Sequence, residues 1–169
     1  MSKAKKCLLW ASGILTGAIC LVMNFIFIPQ IESSTGGIRC FDMNFGYKYD
    51  DAVLFLSRLS DESRAVYLTR QLPLDFVYPL VYCVFFCLLI SVLLKKKNAL
   101  LALPVVLAVC DYCENICSLI MLRSTELSRT LATFASAVTA VKTVLMYIVF
   151  LIIIVLLIKR LAERRKEKG

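Results

Sequence analysis

The sequence predicts an all-α integral membrane four-helix bundle with short amphipathic helices in a long outer loop. Three observations carry this expectation. Hydrophobic residues make up 60% of the chain and charged residues 19%, far from the mix of about half apolar and a quarter charged that soluble domains show. Four segments, Leu8 to Ile28, Leu72 to Leu94, Ala99 to Leu122 and Phe134 to Ile158 at its approximate limits, reach the length of about 20 apolar residues that a helix needs to cross a bilayer. Basic residues gather at the ends of these segments, where they act as orientation signals. The 169 residues suffice for one domain, and no internal repeat is visible.

The first segment follows Lys3, Lys5 and Lys6, a basic start that a secretory signal also has. Its apolar run is too long for such a signal and no A-x-A site follows it. In GAIC, residues 17–20, Ile19 stands where a lipoprotein-type cleavage signal needs a small residue. An uncleaved first span is therefore expected. With the N-terminus inside, the inner side holds twelve basic residues: Lys3, Lys5, Lys6, Lys95, Lys96, Lys97, Lys159, Arg160, Arg164, Arg165, Lys166 and Lys168, opposed by Glu163 and Glu167. The outer side holds Arg39, Lys48, Arg58, Arg64, Arg70, Arg123 and Arg129 against seven acids. This asymmetry predicts both termini in the cytoplasm.

The outer loop, residues 29–71, begins irregularly through Ser33 to Gly37 and FDMNFGYKY, where small, polar and glycine residues mark loop. Asp50 and Asp51 then precede AVLFLSRL, and Ser60, Asp61 and Glu62 precede SRAVYLTRQL. A capping residue and acids in a first turn suit a helix start, so short helices lying on the membrane surface or capping the bundle are expected.

Helical periodicity gives each span one polar side, because positions three and four apart share a face. Asp111, Glu114, Asn115 and Ser118 fall together on the third span, Asp75, Tyr78, Pro79 and Tyr82 on the second, and Lys142 near Thr139 on the fourth. The first span aligns Gly13, Thr16, Gly17, Cys20 and Asn24, in which Gly13-x-x-x-Gly17 is the spacing that lets helix backbones approach; Gly13, Gly17, Asn24 and Pro79 are read as packing positions. At about 1.5 Å per residue Glu114 lies roughly 12 Å below the outer end of its helix, within reach of Lys142, and Asp111 is near the midplane. An ion facing lipid at that depth costs between about 3 and more than 10 kcal/mol. These groups are thus expected to face inward, pair, and leave surplus negative charge in a polar cavity opening outward. Asn115, Tyr78, Tyr82 and Thr139 are read as hydrogen-bonded glue between helices, and Asp111, Glu114 and Lys142 as functional candidates.

The chain has no histidine, hence neither the commonest metal ligand nor the commonest general base; no metal or cofactor is expected. The net charge of +8 resides in flanking clusters, not in a basic stripe with exposed aromatics, so no nucleic-acid partner is expected. Cys110-x-x-Cys113 invites a redox reading, but Cys110 sits at the bilayer centre, and Cys110, Cys113 and Cys117 fall away from Asp111 and Asn115. Cys40 is the lone cysteine of the outer loops. A thiolate metal site of Cys83, Cys87, Cys110 and Cys113 is a further alternative.

From Asp50 to Lys142 the chain resembles a group of small four-span membrane proteins found mainly in bacteria. The residues that carry this are DDAVLFLSRLSDESRAVYL, QLPLDFVYPLVY with its LDxxxPxxY pattern, DYCEN with its DxxEN pattern, and the lone Lys142. The resemblance brings no assigned activity. It implies a bacterial cytoplasmic membrane and marks Asp75, Pro79, Tyr82, Asp111, Glu114, Asn115 and Lys142 as positions that matter. The cysteine in DYCEN departs from the group's leucine. The resulting expectation is a protein that binds or passes a small polar or cationic species, protons included, in the bilayer as a homo-oligomer or part of a larger membrane complex. The alternatives are a non-catalytic subunit or scaffold, and a thiol–disulfide oxidoreductase.

Overall fold

The computed structural model describes residues 2–94 and 99–166, so Lys95, Lys96, Lys97, Glu167 and Lys168, which entered the charge asymmetry above, lie outside the described residues. Five helices organise the chain: α1 (Lys3–Glu32), α2 (Tyr49–Arg58), α3 (Asp61–Leu94), α4 (Ala99–Arg123) and α5 (Arg129–Lys166). No strand occurs among the described residues. All but α2 are long and apolar enough to cross a membrane. The chain turns at one end through residues 33–60 and 124–128, here called the loop end, and the start of α1 and the end of α5 lie at the other.

The first outer helix expected from the sequence stands alone as α2, with Asp51 Oδ2 accepting from the Lys48 backbone N–H at 2.9 Å. The second does not. Ser60 caps it by accepting from the Ser63 backbone N–H at 3.2 Å, and it then runs unbroken into the second span as the first turns of α3. That continuity depends on a wide turn. Pro73 has no N–H to offer the carbonyl four residues back and its ring would strike that carbonyl. The backbone widens just before it, and the Leu72 N–H bonds to Tyr67 O, five residues back. In α1, Ile28 N–H bonds to Met23 O immediately before Pro29 in the same way. The buried positions re-phase accordingly: Ser12, Thr16, Ile19 and Met23 step by three or four, and the next is Ile28.

α3 is central, packing on α1, α4 and α5, and α4 packs along α5. Two apolar cores result. The loop-end core holds Ile31, Phe41, Phe55, Tyr67, Met121 and Ala135 among others. The terminal-end core holds Tyr82, Phe86, Ile90, Leu107, Val149 and Ile153. On α4 and α5 the residues between them are polar: Asp111, Glu114 and Asn115 on the one, Thr139 and Lys142 on the other. The outer surface of the bundle is apolar, with Trp10 72% and Phe25 75% exposed, as lipid-facing side chains are.

Helix C-termini leave carbonyls without partners, and arginines meet three of them here. Arg64 donates from Nη1 to Leu122 O at 2.5 Å and from Nη2 to Leu56 O at 3.2 Å, tying the ends of α4 and α2 to α3. Arg160 Nη1 donates to Val92 O at the far end of α3. Hydrogen bonds from a charged donor contribute about 1.5–3 kcal/mol. Arg64→Ala should therefore lower unfolding stability by about 2 kcal/mol, checked by denaturant titration of the purified protein in detergent, with no change in helix content at the start of the titration.

Candidate functional site, a buried polar layer

Three spans build the layer. α4 supplies Asp111 and Glu114, one turn apart on its inner face, and α5 supplies Thr139 and Lys142 at the same spacing. The Lys142 ammonium reaches both acids, at 3.2 Å from Asp111 Oδ1 and in direct contact with Glu114 Oε2. The Thr139 hydroxyl donates to Glu114 Oε1 and lies 3.1 Å from Ala135 O of its own helix. From α3, the Tyr82 hydroxyl donates to Asp111 Oδ2 at 2.9 Å. Each carboxylate oxygen of Asp111 and Glu114 has a partner, as buried charge requires. Glu114 is 1% exposed and Thr139 fully buried, whereas the side chains of Asp111 and Lys142 keep 10% and 14% exposure, so it is the Glu114 end of the layer that is closed off.

Asp75 and Asn115 meet through the backbone. Pro79 lacks an N–H, which frees the carbonyl of Asp75 four residues earlier. The Asn115 side-chain amide donates to that carbonyl at 2.7 Å, the substitution by a neighbouring helix that makes proline tolerable inside a span. LDxxxP on one helix and EN on another are thus two halves of one hydrogen bond. The Asp75 carboxylate accepts from Gln71 Nε2 at 3.0 Å and forms no direct ion pair with Lys142, though Asp42, Asp111 and Lys142 are within electrostatic reach. Tyr78 is half-buried, edge-on to Tyr82 at 5.1 Å between ring centres and beside Cys20 of α1. It borders the layer and does not touch the acids.

The packing positions divide. Pro79 is buried. A methyl on Gly13 would sit 2.8 Å from the Phe85 ring, whereas one on Gly17 would meet nothing within 4 Å. The close approach of α1 to α3 uses Gly13 alone, and the paired-glycine reading is corrected: Gly17 is exposed. Asn24 spends its amide on Cys20 O of its own helix at 2.9 Å. Of the three cysteines expected on the far side of α4, Cys117 is buried in the loop-end core, because position 117 lies one turn from Glu114 on the same face. All eight cysteines are free. Burial first, then the charges of Asp42 and Glu32, push the Cys40 thiol up, away from the thiolate that exchange chemistry needs.

The loop contributes what periodicity could not reveal. A 3₁₀ turn, Phe41–Met43, packs against α5, and the Tyr47 backbone N–H donates to Ser136 Oγ at 2.8 Å. Gly46 takes φ +118°, and a methyl there would lie 3.3 Å from Ser136 Oγ, so both conformation and contact call for glycine. This turn holds Asp42, whose Oδ1 is enclosed without a hydrogen-bond partner. Burial holds the Asp42 carboxyl above the ordinary carboxylate range; Lys142 opposes the rise, and Asp111 and Glu32 add to it. Protonation of Asp42 accordingly favours the folded state, a contribution present at low pH and lost as pH rises through the raised value.

Among the described residues no three His, Cys, Asp or Glu side chains are grouped as a metal site. No family model, no curated protein and no solved structure matches the chain.

Removing the amide of Asn115 should leave the Asp75 carbonyl unpaired, and Pro79→Ala should give that carbonyl its own helical donor. In a double-mutant cycle, the loss from Asn115→Ala should be smaller by about 1 kcal/mol in the Pro79→Ala background than in the parent, measured by unfolding in detergent; an equal loss in both backgrounds would separate the two residues.

Proposed function

We propose that the chain is a multi-pass membrane protein with both termini cytoplasmic, which binds or passes a small polar or cationic species, protons included, at its buried polar layer. Asp111 and Glu114 are the acceptors, Lys142 their counter-charge, and Asp75, Tyr78 and Tyr82 border the route. The observation that carries the reading is the charge balance: Asp111 and Glu114 share one ammonium, and Asp75 and Asp42 stand close by without one. Intramembrane ionisable groups in such an arrangement mark substrate and ion pathways. The loop end faces outward in this reading, which the excess of basic residues in the segments taken as inner supports through the positive-inside bias. With Glu114 closed off, exchange with the outer side needs the segment around Phe41–Tyr47 to lift. A four-span chain would assemble as a homo-oligomer or with other membrane subunits to form a pathway, and the bacterial cytoplasmic membrane is the setting its resemblance suggests.

A second reading, a non-catalytic membrane subunit or scaffold, is favoured by one observation: Asp111 and Glu114 are fully hydrogen-bonded within the chain, as helix glue would be. The thiol-oxidoreductase reading gains no comparable support.

The two leading readings separate in liposomes loaded with a pH-sensitive dye under an imposed proton gradient, and in parallel with sodium- and potassium-sensitive dyes. Purified protein should speed equilibration of at least one ion over empty liposomes. Glu114→Gln and Asp111→Asn should each slow it by about tenfold or more at equal amounts of reconstituted protein, whatever their yield. Equilibration no faster than in empty liposomes, with both variants failing to accumulate, would favour the scaffold. For orientation, reporter fusions at either terminus should score cytoplasmic and an insertion after Gly37 should score external; the reverse pattern would overturn the topology.

A further inference from the structure

In the wide turn of α3, Tyr67 and Gln71 are buried, whereas Thr69 and Arg70 are exposed. These two line a cavity of about 590 Å³ formed where the end of α1 meets the start of α3. Two charged residues border the cavity, Glu62 in the first turn of α3 and Arg70, roughly 12 Å further along by helical rise. The ion pairs among the described residues all belong to Lys142, so Glu62 and Arg70 are both without a charged partner.

At the Glu62 end the wall offers oxygen. Ser33 Oγ and Ser63 Oγ, both lining the cavity, donate to the same carbonyl, Gln30 O, at 2.8 and 3.1 Å. That shared acceptor holds the two hydroxyls close together across the seam between the helices. A hydroxyl whose hydrogen is spent keeps only its acceptor lone pairs. Beside Glu62 the wall therefore suits a cation that carries several donors. A primary ammonium has three and one positive charge. A quaternary ammonium has no N–H and is held by aromatic faces, and no aromatic residue lines this cavity. At the other end, the Arg70 guanidinium presents paired donors of the geometry that a phosphate accepts.

The level of the cavity along the helices indicates what brings these two charges. Four residues before Gln30 on α1, Ile26 is 47% exposed, and seven residues beyond Arg70 on α3, Val77 is 49% exposed. Both belong to the apolar outer surface of helices long enough to cross a membrane. The cavity thus stands where that surface gives way to polar residues, with Arg70 next to the apolar part and Glu62 further from it. A phospholipid carries its charges in the same order, phosphate beside the acyl chains and amine beyond. We propose that this cavity binds the phosphoethanolamine headgroup of a membrane lipid, its phosphate at Arg70 and its ammonium at Glu62 and the oxygens of Ser33 and Ser63. The site requires that α1 and α3 cross a bilayer and is independent of any passage through the polar layer.

The test is thermal unfolding of the purified full chain in detergent, titrated with dihexanoyl phosphatidylethanolamine, with the matching phosphatidylcholine, and with free phosphoethanolamine. The ethanolamine lipid should raise the midpoint saturably by about 5 °C over the choline lipid, which differs from it only in the three methyls that replace the N–H donors. Glu62→Gln removes the charge from an exposed side chain; it should keep the parent's midpoint in the choline lipid and lose the ethanolamine preference. Arg70→Ala should move half-saturation by the ethanolamine lipid to about tenfold higher concentration. Equal midpoints in the two lipids, or a preference that survives Glu62→Gln unaltered, would overturn the site. A rise produced by free phosphoethanolamine at the concentrations at which the lipid acts would assign the cavity to a soluble zwitterion and overturn the lipid as its occupant.

Discussion

The contact of Lys142 with Glu114 and Asp111 is the constraint on which the arrangement of the spans depends. Two carboxylates and an ammonium lie enclosed between two apolar cores, where each alone would be costly to bury, so the helices that carry them must present the same height and the same side. α4 and α5 meet this condition with one-turn spacings, and Tyr82 and Thr139 supply the remaining donors. The apolar cores above and below then pack around a level that is already set. Removing one member of such a buried group leaves the others uncompensated, which destabilises far more than the intact group stabilises. The layer therefore specifies register more than it contributes net stability.

A second fixing point works through the backbone. Pro79 opens a hydrogen bond in α3 that only a donor from another helix closes, and Asn115 is that donor. Because Asn115 follows Glu114 directly, the same turn of α4 is held by α5 on one side and by α3 on the other. Rotating α4 about its axis would break both. Elsewhere the pattern changes: Asp42, Tyr47 and Gln71 each keep an enclosed atom without a partner.

Periodicity and hydropathy made the spans and their polar faces legible. Asp111, Glu114 and Lys142 lie on regular α-helix, where a fixed angle per residue converts sequence spacing into direction, and the energetic penalty for facing lipid leaves one choice of partner. The Asp75–Asn115 contact was legible only as glue, since sequence shows side chains and the acceptor is a main-chain carbonyl; the Pro79 four residues on was the available clue. Asp42 was not legible at all. It sits in an irregular loop whose position depends on Gly46 against Ser136, a contact between distant parts of the chain that no local rule encodes. Gly17 misled for the opposite reason: a spacing motif states that two backbones can approach, not that they do. The unbroken start of α3 was hidden because a proline normally ends a helix, and the accommodation that lets it continue lies in the turn before it.

Those accommodations come in a pair, Met23–Phe27 ahead of Pro29 and Tyr67–Gln71 ahead of Pro73, and the two segments touch each other. Each adds one residue to a turn. Without it, everything beyond would swing by about 100° around the helix axis, carrying Ile28 and Ile31 out of their core on α1 and unseating the amino-terminal end of α3 beneath α2. The membrane-crossing part of the bundle and its crown thus obey two different angular phases, and the extra residue in each helix is the gear that meshes them.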